Sequence, residues 1–313
     1  MKQLLKIWIL AVAMVMGAAL PPQVAGNSPI TAQWSAQAKS KKKSKKKKSR
    51  HSKKARRSTP SSLSGKSTPS SISGKSTLSK LSGSFTTSSD LLAVGIPSGV
   101  SNQVINYSAI RVNFNPSLRI PNCVAYELTA TMVDMADAPG HESRKHYNYA
   151  KDAAIKSCPE NWEYRGSGYS RGHMAPAMDM RWDKTAMTQC FYMTNMCPQD
   201  TKLNNDHWRM LEEKVHRWAK RDKRLLVYTG PIMGKNPKRI GKDKKDIAVP
   251  DAFFKVVYAP DQGRAIAFIY NNVPSPGGVA KHAVTVAEVE RRTGLTFSRS
   301  IPKQQCRIED WNL

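Results

Sequence analysis

Hydrophobic and polar positions are distributed unevenly along this chain of 313 residues. From about residue 91 onward, short runs rich in β-branched and aromatic residues recur between turn-forming residues, a pattern typical of β-strands. The pattern predicts strands at residues 107–114, 123–132, 190–194, 225–229, 253–258 and 265–270.

Two segments show the period of an amphipathic helix instead. In residues 204–221 the apolar side chains Trp208, Leu211, Val215 and Trp218 share one face. Residues 286–293 form the second predicted helix, which ends at Gly294, a residue favoured after a helix C-terminus. Because strands outnumber helices, we expect an α+β domain rather than a doubly wound parallel sheet.

The first 26 residues have the features of a secretory signal peptide. Lys2 and Lys6 precede an apolar run over residues 7–20, and small residues follow at 24–26. The alternative, a membrane anchor, is less favoured because a spanning helix needs ~20 apolar residues. We therefore expect a secreted or periplasmic protein.

Residues 27–89 are predicted to be a disordered linker. Thirteen of the nineteen residues 39–57 are Lys or Arg, and such a block repels itself and buries nothing. A polar nine-residue repeat follows, starting at Ser58, Ser67 and, in degraded form, Ser76. The basic block is expected to tether the protein to a polyanion such as DNA, an acidic polysaccharide or anionic lipid. The globular domain is then expected at residues 90–313.

The globular part is basic even without this linker. The whole chain carries a formal charge of +27, and residues 1–89 contribute 18 Lys and Arg and no acidic residue. The remaining 32 basic and 23 acidic residues leave residues 90–313 with a charge of +9. A polyanionic partner and simple solubility explain this excess equally well.

Five cysteines lie in the globular part: Cys123, Cys158, Cys190, Cys197 and Cys306. Export would permit disulfide bonds, which we expect among them, with at least one thiol left free or paired between chains because the number is odd. No cysteine is paired with a histidine at the spacing of zinc ligands, which argues against a zinc-bound HNH variant.

Two segments contain residues suited to chemistry on a phosphodiester. Residues 164–173 form a glycine-rich stretch that ends in Arg171 and His173. Asn204 opens the first helix, and Glu212 follows just over two turns later on roughly the same side. Because glycines precede His173, we expect its side chain to be exposed and positioned rather than packed.

Together these residues supply a base near neutral pH, a cation for phosphate, an amide oxygen suited to Mg²⁺ and a carboxylate for a metal-bound water. Single-metal hydrolysis of a phosphodiester needs these functions. The alternatives are structural: Asn204 is also a favoured helix N-cap, and Glu212 is also an ordinary solvated helix residue.

The same residues resemble a known family. Residues 164–176 resemble the Asp-Arg-Gly-His signature of the DNA/RNA non-specific endonucleases, the group that contains endonuclease G and the Serratia nuclease. The resemblance continues in order through residues 194–199, 203–212, 228–232, 249–255 and 288–295. It implies a ββα-metal (His-Me finger) fold with a central antiparallel sheet, here preceded by a disordered basic linker.

The resemblance also implies roles for site residues. His173 would be the general base that deprotonates water, and Asn204 the direct protein ligand of Mg²⁺, for which Mn²⁺ could substitute. Glu212 would hold a metal-bound water. The substrates would be DNA and RNA, bound through backbone phosphates without sequence specificity, and the products would carry 5′-phosphate and 3′-hydroxyl ends.

Three further positions follow from the same resemblance. Arg171 would contact the phosphate, Arg144 is a weaker match to an upstream arginine, and Asn195 would orient the histidine or the phosphate. Ser170 stands where the family usually has aspartate. This departure leaves open an alternative, a catalytically weakened nuclease-like protein that binds nucleic acid. The sequence does not fix the oligomeric state, and a dimer is compatible with it.

Overall fold

The computed structural model of the protein describes residues 89–243 and 246–313. The expected signal peptide and nearly all of the expected linker, including the basic block 39–57, lie outside the described residues. Among the described residues, no helix has the length and apolar character of a membrane span.

Eleven strands and five α-helices make up the described chain. The strands are β1 Gln103–Asn106, β2 Ile110–Asn115, β3 Ile120–Thr129, β4 Tyr169–His173, β5 Met196–Asp200, β6 Arg224–Ile232, β7 Arg239–Ile240, β8 Ile247–Ala248, β9 Ala252–Ala259, β10 Arg264–Asn271 and β11 Ala283–Val284. The helices are α1 Ser89–Leu92, α2 Ala130–Asp137, α3 Lys184–Cys190, α4 Arg209–Asp222 and α5 Val286–Thr293.

Seven of the strands form one antiparallel sheet in the order β1-β2-β3-β6-β9-β10-β11. Two small antiparallel pairs, β4-β5 and β7-β8, lie outside it. The predicted α+β class with a central antiparallel sheet is therefore confirmed.

Side chains on neighbouring positions of the central strands point to opposite faces of the sheet. On β9, Phe253 and Val257 belong to the core on one face, whereas Phe254, Val256 and others belong to the core on the other. Lys255 shares the face of Phe253, which we call the site face; the opposite one is the back face. Both faces are buried, so the strands read as nearly continuous apolar runs rather than as alternating ones.

The helix predicted at residues 204–221 is present but is not α-helical throughout. Its first part, Leu203–Trp208, has the wider π-helical winding, and α4 continues from Arg209. Leu211 and Val215 of α4 are fully buried in the site-face core. A π-helical segment frequently coincides with a functional site, and here it contains Asn204.

The antiparallel strand pair β4-β5 precedes this helix and completes a ββα unit. His173 at the end of β4 is paired with Met196, and Gly172 lies opposite Cys197. A Cβ atom at Gly172 would come within 2.2 Å of the Gln199 side-chain oxygen, so only glycine allows the packing seen here.

One predicted strand is wrong. Residues 190–194 are not extended: Cys190 ends α3, and Met193–Asn195 is a 3₁₀ turn before β5 begins. Asp183 fixes the start of α3 because its Oδ1 accepts a hydrogen bond from Ala186 N at 2.8 Å. A short apolar run does not by itself distinguish a buried helix from a strand.

The expected disulfide bonds are absent, and all five cysteines are free thiols. Cys123 lies in the back-face core, whereas Cys158, Cys190 and Cys197 lie in the site-face core. Burial raises the pKa of Cys158 to about 11, which keeps this thiol protonated and unreactive.

Candidate active site

The ββα unit borders a cavity of about 310 Å³. Five of the six residues predicted for the site line it: Arg144, Arg171, His173, Asn204 and Glu212. They come from a 3₁₀ turn, from β4, from the π-helical segment and from α4. The sixth, Asn195, is not among the lining residues.

His173 is packed more tightly than its glycine-rich context predicts. Only 8% of its surface is exposed, because its ring centre lies 5.0 Å from that of Phe191 and 5.6 Å from that of Tyr149. Burial, aided by the nearby charge of Arg144, lowers the pKa of His173 to about 3. The imidazole is therefore neutral at physiological pH, and its buried Nε2 has no hydrogen-bond partner among the described residues.

Asn195 acts on the backbone that follows this histidine. It is fully buried, and its Oδ1 accepts a hydrogen bond from Ala175 N at 2.9 Å. Its Nδ2 donates to Ala175 O at 2.9 Å and to Cys190 O at 2.8 Å. Asn195 can thus hold the chain next to His173, but its amide makes no contact with the cavity where a phosphate would bind.

Asn204 offers an oxygen to the cavity. Its Nδ2 donates to Asn205 Oδ1 at 3.0 Å, and no described residue donates a hydrogen bond to its own Oδ1. Across residues 89–243 and 246–313, no group of three or more His, Cys, Asp and Glu side chains could hold a metal ion. The oxygen donors Asn204 and Glu212 therefore fit a hard cation that keeps most of its waters, as Mg²⁺ does.

Glu212 lies near the buried charge of Lys255, a residue that the sequence analysis did not single out. Lys255 is fully buried; its Nζ donates to Thr229 Oγ1 at 2.8 Å and lies 5.0 Å from the ring centre of Trp208. Burial raises the pKa of Glu212 to about 7, an effect that Asp179 reinforces and Lys255 opposes. Burial lowers the pKa of Lys255, and the charges of Glu212 and Asp179 oppose that shift.

Tyr149 connects three of the predicted site residues and was also missed. Its hydroxyl accepts a hydrogen bond from Arg144 Nη2 at 2.9 Å. Its ring lies 5.6 Å from the guanidinium carbon of Arg171 and packs on His173. Residue 149 lies 22 to 24 positions from Arg171 and His173 in sequence, so no local pattern signals this contact.

Two more arginines, Arg181 and Arg209, line the cavity. Arg209 forms an ion pair with Glu213 one turn later, and its Nε donates to Asn205 O at 2.8 Å. The guanidinium of Arg181 has no hydrogen-bond partner among the described residues. Four arginines line the cavity against two glutamates, and this excess of positive charge favours an anionic ligand.

Ser170, which replaces the usual aspartate, does not line the cavity. Its Oγ donates to Thr201 Oγ1 at 3.1 Å, at the start of the helix that carries Asn204. The substitution therefore changes a contact between β4 and this helix, and it removes no charged group from the cavity.

An antiparallel strand pair and a helix bring a histidine, an asparagine and a glutamate to one cavity beside an antiparallel sheet, which is the arrangement of a ββα-type nuclease fold. The family model of the DNA/RNA non-specific endonucleases matches residues 87–304. The chain belongs to this family, and it is therefore a hydrolase of the non-specific endonuclease class.

Individual relatives agree with this assignment. The chain is 31% identical over 232 residues to "Nuclease 1, mitochondrial" of Schizosaccharomyces pombe, covering 67% of this chain and 70% of that protein. It is 30% identical over 177 residues to human "Endonuclease G, mitochondrial", covering 52% of this chain and 60% of that protein. A solved EndoG chain, from a complex with EndoGI, is 28% identical with a TM-score of 0.57 and covers 63% of this chain and 85% of its own length.

These relatives overturn the predicted location. Export to the periplasm or outside the cell was expected, but the similar proteins from fission yeast and human are mitochondrial by name. Residues 1–89 contain no acidic residue, a feature that signal peptides and mitochondrial transit peptides share, so it did not separate the two destinations.

Proposed function

We propose that the protein is a metal-dependent endonuclease in which His173 is the general base and Asn204 holds a single Mg²⁺, with Mn²⁺ as a substitute. The observation that carries this proposal is that His173 and Asn204 line one cavity although they are 31 residues apart in sequence. DNA and RNA would be cut without sequence specificity because the arginines that line the cavity would contact backbone phosphates, which carry no sequence information.

The proton-transfer step depends on the state of His173. Its pKa of about 3 in the free protein leaves the ring neutral, so one of its two nitrogens carries no proton and can accept one from water. Bound phosphate would raise the basicity of the imidazole, because an anion favours the protonated ring. Phe191 and Tyr149 hold the ring in one orientation.

The remaining residues would bind and neutralise the substrate. Arg171 donates from Nη2 to Asn161 O at 2.6 Å, which fixes its guanidinium before the phosphate arrives. When bound, the divalent ion supplies positive charge to the phosphoryl and leaving oxygens. Asn204 would hold that ion, and Glu212 would orient one of its waters.

The alternative of a weakened, binding-only protein rests on Ser170. The hydroxyl of Ser170 bonds Thr201 outside the cavity, so the residues proposed for base and metal binding are all retained. This observation favours the enzyme.

Cleavage of supercoiled plasmid with Mg²⁺ and with a chelator tests the proposal. Native protein should nick the plasmid only with Mg²⁺. His173→Ala should fold normally and cut roughly 10²–10⁴ times more slowly, the usual contribution of a general base, and Asn204→Ala should need far more Mg²⁺. The exposed His141 is a matched control, and His141→Ala should cut at the native rate. Native-rate cleavage by His173→Ala would refute the base assignment, and no cleavage by the native protein would favour the binding-only alternative.

A further inference from the structure

The four arginines of the cavity differ in what holds their guanidinium groups. Arg144 donates to the Tyr149 hydroxyl, Arg171 to a backbone carbonyl and Arg209 to Glu213. Arg181 is the exception. Its Nε is buried without a partner, as is that of Arg171, but within residues 89–243 and 246–313 its two Nη atoms also form no hydrogen bond.

We propose that Arg181 binds a backbone phosphate of the nucleic-acid strand held in the cavity. This inference rests on the proposed function, because it takes the cavity to be the place where a strand is held. It adds a second phosphate contact to the one predicted for Arg171, and it assigns this contact to a residue that the sequence did not single out.

A buried N–H of a charged group without an acceptor is costly, about 1–3 kcal/mol or more. The protein nevertheless holds the backbone of Arg181 firmly. Arg181 O accepts a hydrogen bond from Glu142 N at 3.0 Å, and the 3₁₀ turn Ala177–Met180 directly precedes it. Asp183, two residues later, caps α3. The side chain of Arg181 therefore contributes no hydrogen bond to the fold although its backbone is fixed, which indicates that its donors serve a ligand.

The ligand must be an anion with paired acceptors. Guanidinium donors suit phosphate oxygens because two parallel N–H groups can bond two oxygens at once. The cavity contains four arginines against two glutamates, and one of those, Glu213, is already paired with Arg209. A nucleic-acid strand, with one phosphate per nucleotide, fits this excess of positive charge. Among the described residues, Arg181 has no side-chain hydrogen bond that it would have to give up in order to bind a phosphate.

Binding is measured apart from cleavage in the full chain carrying His173→Ala, with Mg²⁺ present. The probe is a 20-nucleotide single-stranded oligothymidylate with a 5′-fluorescein label, and its anisotropy is followed from 50 to 300 mM NaCl. We expect Arg181→Ala to raise Kd about tenfold and to reduce the slope of log K against log salt by about 0.7, the value for one lost contact to a single strand. Arg181→Lys should keep the slope and recover part of the affinity, because it keeps the charge but not the planar pair of donors.

Arg299→Ala is the matched control, because Arg299 is exposed between Phe297 and Ile301 of the back-face core. It should leave both Kd and slope unchanged. Arg181→Gln, which keeps most of the side-chain stem, replaces Arg181→Ala if the latter does not fold. Unchanged Kd and slope in a folded Arg181 variant would overturn the inference, as would equal losses in Arg299→Ala. Failure of the proposed function would appear separately, as native protein that does not cut plasmid with Mg²⁺.

Discussion

The two faces of the central sheet bury different kinds of side chain. The back face packs Leu226, Phe254 and Val256 of the sheet against Val286 and Val289 of α5. Its polar pair, Arg224 with Glu127, lies where the strands end and remains partly exposed. The back face therefore gains its stability mainly from buried apolar area, the dominant favourable contribution to folding.

The site face uses the same strands but buries charges. Lys255 on β9 and Asp179 and His216 from the covering elements are almost completely removed from water. Asp179 accepts hydrogen bonds from Tyr126 at 2.8 Å and from His216 at 2.9 Å. Buried ions stabilise a fold less than apolar packing of the same volume. We therefore infer that the site face contributes less to the free energy of folding than an apolar core would, and that its buried charges serve the cavity. The comparison therefore predicts that substitutions on the two faces have separable effects.

The largest effect is expected for Asn195→Ala on the site face. It would leave Ala175 N, Ala175 O and Cys190 O buried without partners and lower the free energy of unfolding by about 3 kcal/mol. Cleavage should fall as well, because the chain after His173 is no longer held. Urea unfolding and plasmid cleavage measure the two effects.

Val289→Ala on the back face is the comparator for Asn195→Ala. It should cost about 2 kcal/mol through the cavity it leaves and still cut at the native rate below its unfolding midpoint. If both variants lost cleavage in proportion to stability, the functional separation of the faces would not hold.

Adjacent positions of β9 offer a sharper comparison. Lys255→Met keeps the volume but removes the charge behind Glu212, so the pKa of Glu212 should rise and kcat should fall about tenfold, the effect of a shift of one unit. Val256→Ala, on the other face of the same strand, should lower the melting temperature and leave kcat unchanged. Steady-state cleavage of a labelled oligonucleotide gives both rates. Equal kcat values would show that Lys255 supports the fold and not the reaction.

A smaller, pH-dependent effect is expected at His216. Burial alone would lower the pKa of His216, but the hydrogen bonds and charges of Asp179 and Asp137 outweigh it and raise the pKa above its ordinary value. Its protonated form therefore stabilises the folded state fully below pH ~6.5, and this stabilisation is lost as pH rises through the folded-state pKa.

His216→Gln should accordingly cost about 1 kcal/mol at pH 6 and less at pH 9. Urea unfolding of the native protein and the variant at both pH values tests this. A cost that does not change with pH would mean that His216 acts only through packing.

The hydrophobic periodicity of the sequence predicted many of the strands and helices. The apolar runs of β6, β9 and β10 and the period of α4 identified these elements, because each is long enough to show its own repeat. The strand prediction for residues 190–194 was wrong because four apolar residues in a run of five fit the period of a helix as well as that of a strand. The order of the sheet strands did not follow from the runs, since pairing depends on contacts distant in sequence.

The residues of the candidate site likewise fall into those that the sequence predicted and those that it did not. His173, Asn204 and Glu212 could be predicted as site residues because two short segments contain them and because those segments resemble a family signature. Lys255 was missed because it enters the site from a strand distant in sequence, whereas Tyr149 and Arg181 lie near Arg144 and His173 in sequence but outside the family motifs. The burial of His173 was missed because Phe191 covers the ring from a different element.

The five free thiols have a consequence for the conditions under which the domain can fold. No covalent cross-link contributes to its stability, so reducing agents such as glutathione have nothing to break, and four of the sulfur atoms are shielded from oxidants by burial. The tertiary structure is thus accessible in a reducing compartment, where structural disulfide bonds do not persist.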